Sequence, residues 1–294
     1  MTIKNVTIAG GGVLGSQIAF QTAFSGFNVT LYDVNDGAID HAKELLASYV
    51  PEYQEFYDDG DKATTVIDSM SFNTDLAQAV ADADLVIEAI PESVKIKSEY
   101  YTELSKVAPE KTIFATNSSI FLPSQFVEYV DRPEKFLAIH FANQIWENNN
   151  AEIMGHAGTA DEYLDELVAF AKDIRMVPFR LYKEQHGYIL NSLLVPLLDA
   201  AQKLWVNGVA DPHTIDKSWM IATGAPQGPF AILDIVGLNT PYNLSLAKAE
   251  DDEEQARIVK ALKEMIDAGK TGAAAGEGFY TYPNPEFMQD DFLK

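Results

Sequence analysis

NVTIAGGGVLGSQIAFQTAFSGFNVTLYD, residues 5–33, decides the fold. Its first six residues, with β-branched Val6, Thr7 and Ile8 at their centre, read as a buried strand, 5–10. Residues 13–26 form a helical pattern that ends at Gly26, which suits a left-handed cap. A second strand, 28–33, closes on Asp33. Between the first strand and the helix, Gly10, Gly12 and Gly15 stand in the spacing G-x-G-x-x-G. Alone that spacing is a weak signal; between a strand and a helix it is a strong one. Gly10 permits the tight turn, Gly12 lets the backbone approach a pyrophosphate, and Gly15 lets the helix pack on the strand. The free N–H groups and positive dipole end of the helix then face the phosphates. Asp33, at the end of the second strand, is placed to accept hydrogen bonds from the adenosine ribose. A carboxylate there repels a 2′-phosphate, so NAD is expected as cofactor in preference to NADP.

Working outward, further buried strands are expected at 84–90, 112–117, 135–140 and 176–181, with helical stretches such as 37–50, 93–107 and 161–173 between them. Strand–helix alternation predicts a parallel, doubly wound sheet, because parallel neighbours need crossover connections. After about residue 183 the pattern turns helical, over 186–206, 212–222, 228–235 and 255–268, with Gly/Pro punctuation. The expected architecture is therefore α/β: a Rossmann-type, mostly parallel sheet over 1–183, followed by an all-α domain over 184–294. Leu193, Leu194, Leu197 and Leu198 give the latter an apolar face that is core or subunit interface.

The 294 residues carry 21 basic and 44 acidic side chains, a net charge of −23. No basic surface is available to neutralise phosphates, so nucleic acid and anionic membranes are disfavoured as partners. The chain has no cysteine, which excludes disulfides, thiolate metal sites and cysteine nucleophiles. No metal is expected. The most apolar late segment, 188–206, is interrupted by Asn191, Ser192, Asp199, Gln202 and Lys203 and reads as a buried helix, not a span. The N-terminus reads directly as a strand, without a signal-peptide pattern. A cytoplasmic protein is expected.

The stretch IHFANQIWENNNAEI, 139–153, places His140 after a strand and Glu152 twelve positions on. These residue types suit an acid/base pair, since imidazole titrates near neutrality and a carboxylate can fix its tautomer. A structural histidine beside a polar loop is the other reading.

With the glycine loop and HFANQ, the segments GYILNSLLVPLL (187–198), ATGAPQGPFAILDIVGLN (222–239) and GKTGAAAGEGFYTY (269–282) resemble the 3-hydroxyacyl-CoA dehydrogenase family over nearly the whole chain. The resemblance implies an NAD-dependent oxidoreductase that interconverts a 3-hydroxyacyl compound and its 3-oxo form by hydride transfer. It implies His140 as general acid/base and Glu152, not the nearer Glu147, as its partner. TNSSI (116–120), similar to the family's N-T-S-S-L, places Ser118 at the substrate oxygen, with Ser119 as the alternative register. Asn191 matches the asparagine of G-F-I-x-N-R-L-L. EAIPESVKIK (88–97) places Glu92 and Lys97 near the nicotinamide half of the cofactor. A homodimer is implied, paired through the helical domain.

Three departures bear on the substrate. Gln144 replaces the family's proline, and the following IWENNNAEI is more polar, so a more polar acyl pocket is expected. Ser192 replaces an arginine. The stretch expected to carry basic residues for CoA instead holds Glu52, Glu55, Asp58, Asp59 and Asp61, with only Lys62 to offset them. A CoA thioester is the first expectation. A smaller β-hydroxy acid or alcohol without CoA is the alternative, and a non-catalytic NAD-binding protein a further one.

Overall fold

The computed structural model describes residues 3–294. Contacts divide the chain into two units, Met1–Ile189 and Leu190–Lys294. The division falls after the expected boundary near 183, because the segment 184–189 packs with the sheet and the helix expected from 186 begins only at Leu190.

The first unit holds one eight-stranded sheet. Its strands are β1 (Asn5–Ala9), β2 (Asn28–Tyr32), β3 (Ser71–Asn73), β4 (Leu85–Glu88), β5 (Ile113–Thr116), β6 (Phe136–Phe141), β7 (Asn150–Gly155) and β8 (Val177–Leu181). Their order is β3-β2-β1-β4-β5-β6-β7-β8. All neighbours run parallel except β6 and β7, which are antiparallel. The chain reverses its winding between β1 and β4, which opens a crevice beyond their carboxyl ends. The helices of this unit are α1 (Val13–Phe24), α2 (Asp36–Phe56), α3 (Ala63–Val66), α4 (Leu76–Ala79), α5 (Val94–Val107) and α6 (Asp161–Asp173).

β3 and β7 were not expected from the sequence. β3 is three residues long, too short for a period. β7 lies in what reads as a polar loop, yet its central residues Ala151–Met154 are all buried. α2 runs past the expected end at residue 50, straight through Pro51. Proline removes one helical hydrogen bond there, and buried Tyr49 and Tyr53 hold the flanking turns against α1. The Tyr53 hydroxyl donates to Gln21 at 2.6 Å.

The second unit contains α7 (Leu190–Val206), α8 (Pro212–Thr223), α9 (Pro229–Val236), α10 (Asn239–Leu246) and α11 (Glu253–Asp267). Its core gathers Leu198, Phe230, Leu233, Leu238, Ile258, Leu262 and Tyr280. Two buried carboxylates tie its loops down. Asp216 accepts the N–H groups of Phe230 and Ala231 and the Tyr280 hydroxyl. Asp234 accepts the N–H groups of Phe279 and Tyr280. Burial pushes both carboxyl groups above their ordinary range. Asp211 caps α8 by accepting Thr214 N–H, and Gly224, at φ 73°, ends it. Of the leucines on α7, Leu198 is buried, Leu194 packs on the core, and Leu193 is 70% exposed.

Candidate active site

The glycine loop closes against the crevice. Gly10 has φ 105°, and a Cβ there would lie 2.5 Å from the Ala89 carbonyl oxygen at the end of β4. A Cβ on Gly15 would lie 2.0 Å from the Gly10 carbonyl oxygen, so the first turn of α1 packs on the loop with no space for a side chain. Gly12 differs: nothing lies within 4 Å of where its Cβ would project. It is also the N-cap of α1 and its turn carries neither a side-chain cap nor an acidic residue. The first N–H groups of a helix have no intrahelical partner. An open, uncapped helix start of this kind fits a pyrophosphate. Asp33 accepts the Gly11 N–H at 2.7 Å and the Val34 N–H at 2.7 Å, which fixes its carboxylate beside the loop. Gly10 and Gly15 thus close the loop tightly, Gly12 leaves its outer side open, and Asp33 stands fixed beside it.

Beyond β4 lies a chain of charged and polar groups. Glu88 is fully buried and accepts from Lys97, from the Tyr101 hydroxyl at 2.8 Å and from the Thr116 hydroxyl at 2.8 Å. Lys97, only 1% exposed, also stands 3.4 Å from Glu92. Lys97 is therefore a buried counter-ion between two carboxylates. Glu92 in turn accepts the Ser118 hydroxyl at 2.8 Å and the Ser119 N–H at 2.9 Å.

The two serines have different partners. Ser118, the residue expected at the substrate oxygen, is turned onto Glu92, and its oxygen accepts the Phe121 N–H at 2.9 Å. It braces the turn. Ser119 is the one that reaches the histidine, with its hydroxyl 3.0 Å from His140 Nε2.

β6 and β7 set His140 and Glu152 directly opposite each other in register. Their side chains meet at 3.0 Å, from Nδ1 to Oε2, and both residues are almost fully buried. Glu147 is exposed, in the loop between the strands. The imidazole thus has a carboxylate at one nitrogen and a hydroxyl at the other. Residues that the sequence did not single out complete the surroundings. The Tyr188 ring stacks on the imidazole at 4.5 Å, and the Ile189 N–H donates to Glu152 Oε1 at 2.9 Å. Their only sequence signal is membership of the GYILN run. Asn191 lies in the helical unit, second in α7 and half-buried.

The loop after His140 takes its own course. Gln144 has φ 57° and donates its N–H to Gln17 at 2.8 Å. Proline can do neither. The loop then buries Ile145 and Trp146 in the core, with the Trp146 ring against Tyr49 and Tyr53 of α2. The expectation that this segment presents a polar wall to an acyl pocket is corrected for those two residues, which face the core. The acidic stretch behind them divides as well. Glu52, Glu55, Asp58 and Asp61 are exposed. Asp59 is held by Arg175 and Lys62, whose hydrogen bonds keep its carboxyl well below the usual range. Among the described residues no cluster suits a metal ion, and no helix is long and apolar enough to cross a membrane.

A Rossmann unit with an open glycine loop, an acid directly after the second strand and a buried histidine–carboxylate pair defines an NAD-dependent oxidoreductase. Comparison with known proteins gives the particular family. Residues 5–185 match the 3-hydroxyacyl-CoA dehydrogenase NAD binding domain, and residues 187–282 match the C-terminal domain of the same enzymes. The chain belongs to the 3-hydroxyacyl-CoA dehydrogenase family. It is 33% identical to the mitochondrial hydroxyacyl-coenzyme A dehydrogenase of Sus scrofa, over 95% of this chain and 91% of that protein. Among solved structures, a diketoreductase described as catalysing reactions of dicarbonyl compounds is 54% identical, with a TM-score of 0.92 over 96% of this chain and 100% of that one. The (S)-3-hydroxybutyryl-CoA dehydrogenase of Ralstonia eutropha is 26% identical, with a TM-score of 0.80 over 96% and 100% of the two chains.

Proposed function

We propose that His140 is the general acid/base for interconversion of a 3-hydroxyacyl compound and its 3-oxo form. The observation that carries this is the position of the imidazole between Glu152 and Ser119. Bound NAD supplies the hydride acceptor, or in reverse the donor, at the carbinol carbon. The protein's residues manage the proton. In oxidation, Nε2 takes the hydroxyl proton while Glu152, at Nδ1, fixes the tautomer and stabilises the imidazolium. Ser119, instead of Ser118, donates to the reacting oxygen. Asn191 is proposed as a second donor to that oxygen, and Glu92 and Lys97 as the brace behind the serine turn, next to the nicotinamide end of the cofactor. We assign cofactor binding to 1–183 and dimer pairing to 184–294, where Leu193, Val209 and Ile221 are more than half exposed. Light scattering of the purified protein tests the homodimer.

On family membership the substrate is a 3-hydroxyacyl-CoA. Specific observations favour a second reading, a smaller β-dicarbonyl or β-hydroxy compound without CoA. Four exposed carboxylates crowd the end of α2 and its following turn, which disfavours a polyanionic ligand there. The loop after His140 follows a path closed to proline. The 54% identical relative acts on dicarbonyl compounds. The test is NADH oxidation with acetoacetyl-CoA and with a free 3-oxo ester of equal chain length. Preferential turnover of the thioester supports the first reading; turnover of the ester alone supports the second. Turnover of neither, with NADH bound, would count against the proposed reaction.

A further inference from the structure

The short segment His186–Ile189 makes four contacts to the acid/base pair and its serine turn. His186 Nδ1 lies 3.1 Å from the Ile120 carbonyl oxygen. The Tyr188 hydroxyl donates to the Ser118 carbonyl at 2.9 Å. The Tyr188 ring lies nearly parallel to the imidazole of His140, 4.5 Å away and tilted by 14°. The Ile189 N–H reaches Glu152. Two successive residues, Gly187 at φ 75° and Tyr188 at φ 55°, are left-handed. Glycine adopts that conformation freely; a tyrosine does so at a cost, and such strain persists where the surroundings enforce it. The double reversal turns the ring back over His140 and presents the next N–H to Glu152. Burial, and then the nearby Glu152 carboxylate, holds the phenol protonated, so its role toward Ser118 is that of a donor.

We infer that Tyr188 is a positioning residue for His140. Its ring fixes the plane of the imidazole, and its hydroxyl fixes the turn that points Ser119 at Nε2. The hydrogen bond to Glu152 fixes only one edge of the imidazole. Rotation about that edge would swing Nε2 away from the reacting oxygen, and the stacked ring removes this freedom. A phenylalanine here would supply the ring without the tie to Ser118. The inference rests on the reading of His140 as acid/base, so the experiment includes a variant that tests that reading alone.

Tyr188→Phe, Tyr188→Leu and His140→Gln are compared for kcat and KM with whichever 3-oxo substrate the wild type reduces. The low-field proton resonance of the imidazole N–H bonded to Glu152 is followed in parallel. The expected fall in kcat is about fivefold for Tyr188→Phe. For Tyr188→Leu it is about a hundredfold. The KM for NADH stays within about twofold of wild type in both, since uniform binding is untouched. The low-field resonance broadens in the leucine variant and survives in the phenylalanine variant. If Tyr188→Leu keeps wild-type kcat and an unchanged resonance while His140→Gln is inactive, the inference on Tyr188 is overturned and the histidine reading stands. Full activity in His140→Gln overturns both. Should Tyr188→Leu fail to fold, Tyr188→Phe decides: an unchanged kcat overturns the inference, and the fivefold loss supports it.

Discussion

His140 and Glu152 are register partners on antiparallel strands, and their side chains meet at 3.0 Å inside the sheet's end. Glu152→Gln keeps the shape and an acceptor for Ile189 but removes the charge that stabilises an imidazolium. It can also hold the wrong tautomer. A loss in kcat of about 10³–10⁴-fold is expected, with NADH affinity near wild type. Steady-state rates and a fluorescence titration of NADH check the two halves separately.

The two adjacent serines separate by phenotype. Ser119→Ala removes the hydroxyl beside Nε2 and should lower kcat by about 10²-fold with the melting temperature nearly unchanged. Ser118→Ala removes a donor to Glu92 and an acceptor for Phe121 N–H. It should cost about 1–3 kcal/mol of stability. Denaturant unfolding of both variants, beside their rates, tests the division; the reverse pattern would restore Ser118 to the substrate.

Lys97→Met leaves Glu88 buried without its cation. Breaking a buried pair on one side costs about 3–5 kcal/mol. The double variant Lys97→Met/Glu88→Gln should recover part of that loss, and chemical denaturation measures both.

Gly15→Ala places a methyl group 2.0 Å from the Gly10 carbonyl oxygen. The glycine loop must then move off α1. NADH affinity should fall at least about tenfold, read by isothermal titration, while the helical unit keeps its spectrum.

Tyr280→Phe tests the buried Asp216. Burial raises this carboxyl above its unfolded value, so it favours folding at pH below the ordinary carboxylate range. That contribution is lost as pH rises through the raised folded value. The Tyr280 hydroxyl donates to Asp216 at 3.0 Å and eases the charged form. Without it the loss with rising pH is steeper. The variant should be about 1.5–3 kcal/mol less stable at neutral pH and closer to wild type in acid. A melting series from neutral to acid pH shows the difference.

Much of the scaffold was legible because its periods are strong. The glycine spacing, Asp33 and six of the strands are written in short apolar runs bounded by turn residues. β7 was not, because its outer residues are asparagine and glycine and its buried run is only four residues long. Its burial comes from lying between β6 and β8, a tertiary fact. The pairing of His140 with Glu152 was reached by spacing within a family pattern, with no sign that the spacing is a strand reversal. Ser118 and Ser119 could not be separated by sequence, since a one-residue shift decides which hydroxyl faces the histidine. The helix expected from residue 186 hid the left-handed step at Gly187 and Tyr188, because aromatic and apolar residues there keep a helical spacing. α10 was missed for a related reason: NTPYNLSL carries a proline and two asparagines, and helix formation there rests on packing.

The single antiparallel step between β6 and β7 has a further consequence. The geometry of the histidine–carboxylate pair is inherited from a backbone ladder and not from the residues that join the two strands. The connecting loop, 142–149, can be lengthened, shortened or rewritten while the ladder keeps the two side chains face to face. Here that loop turns its isoleucine and tryptophan inward, onto the core. Grafting connecting loops of other lengths between Phe141 and Asn150 should therefore leave the pairing of His140 with Glu152 in place.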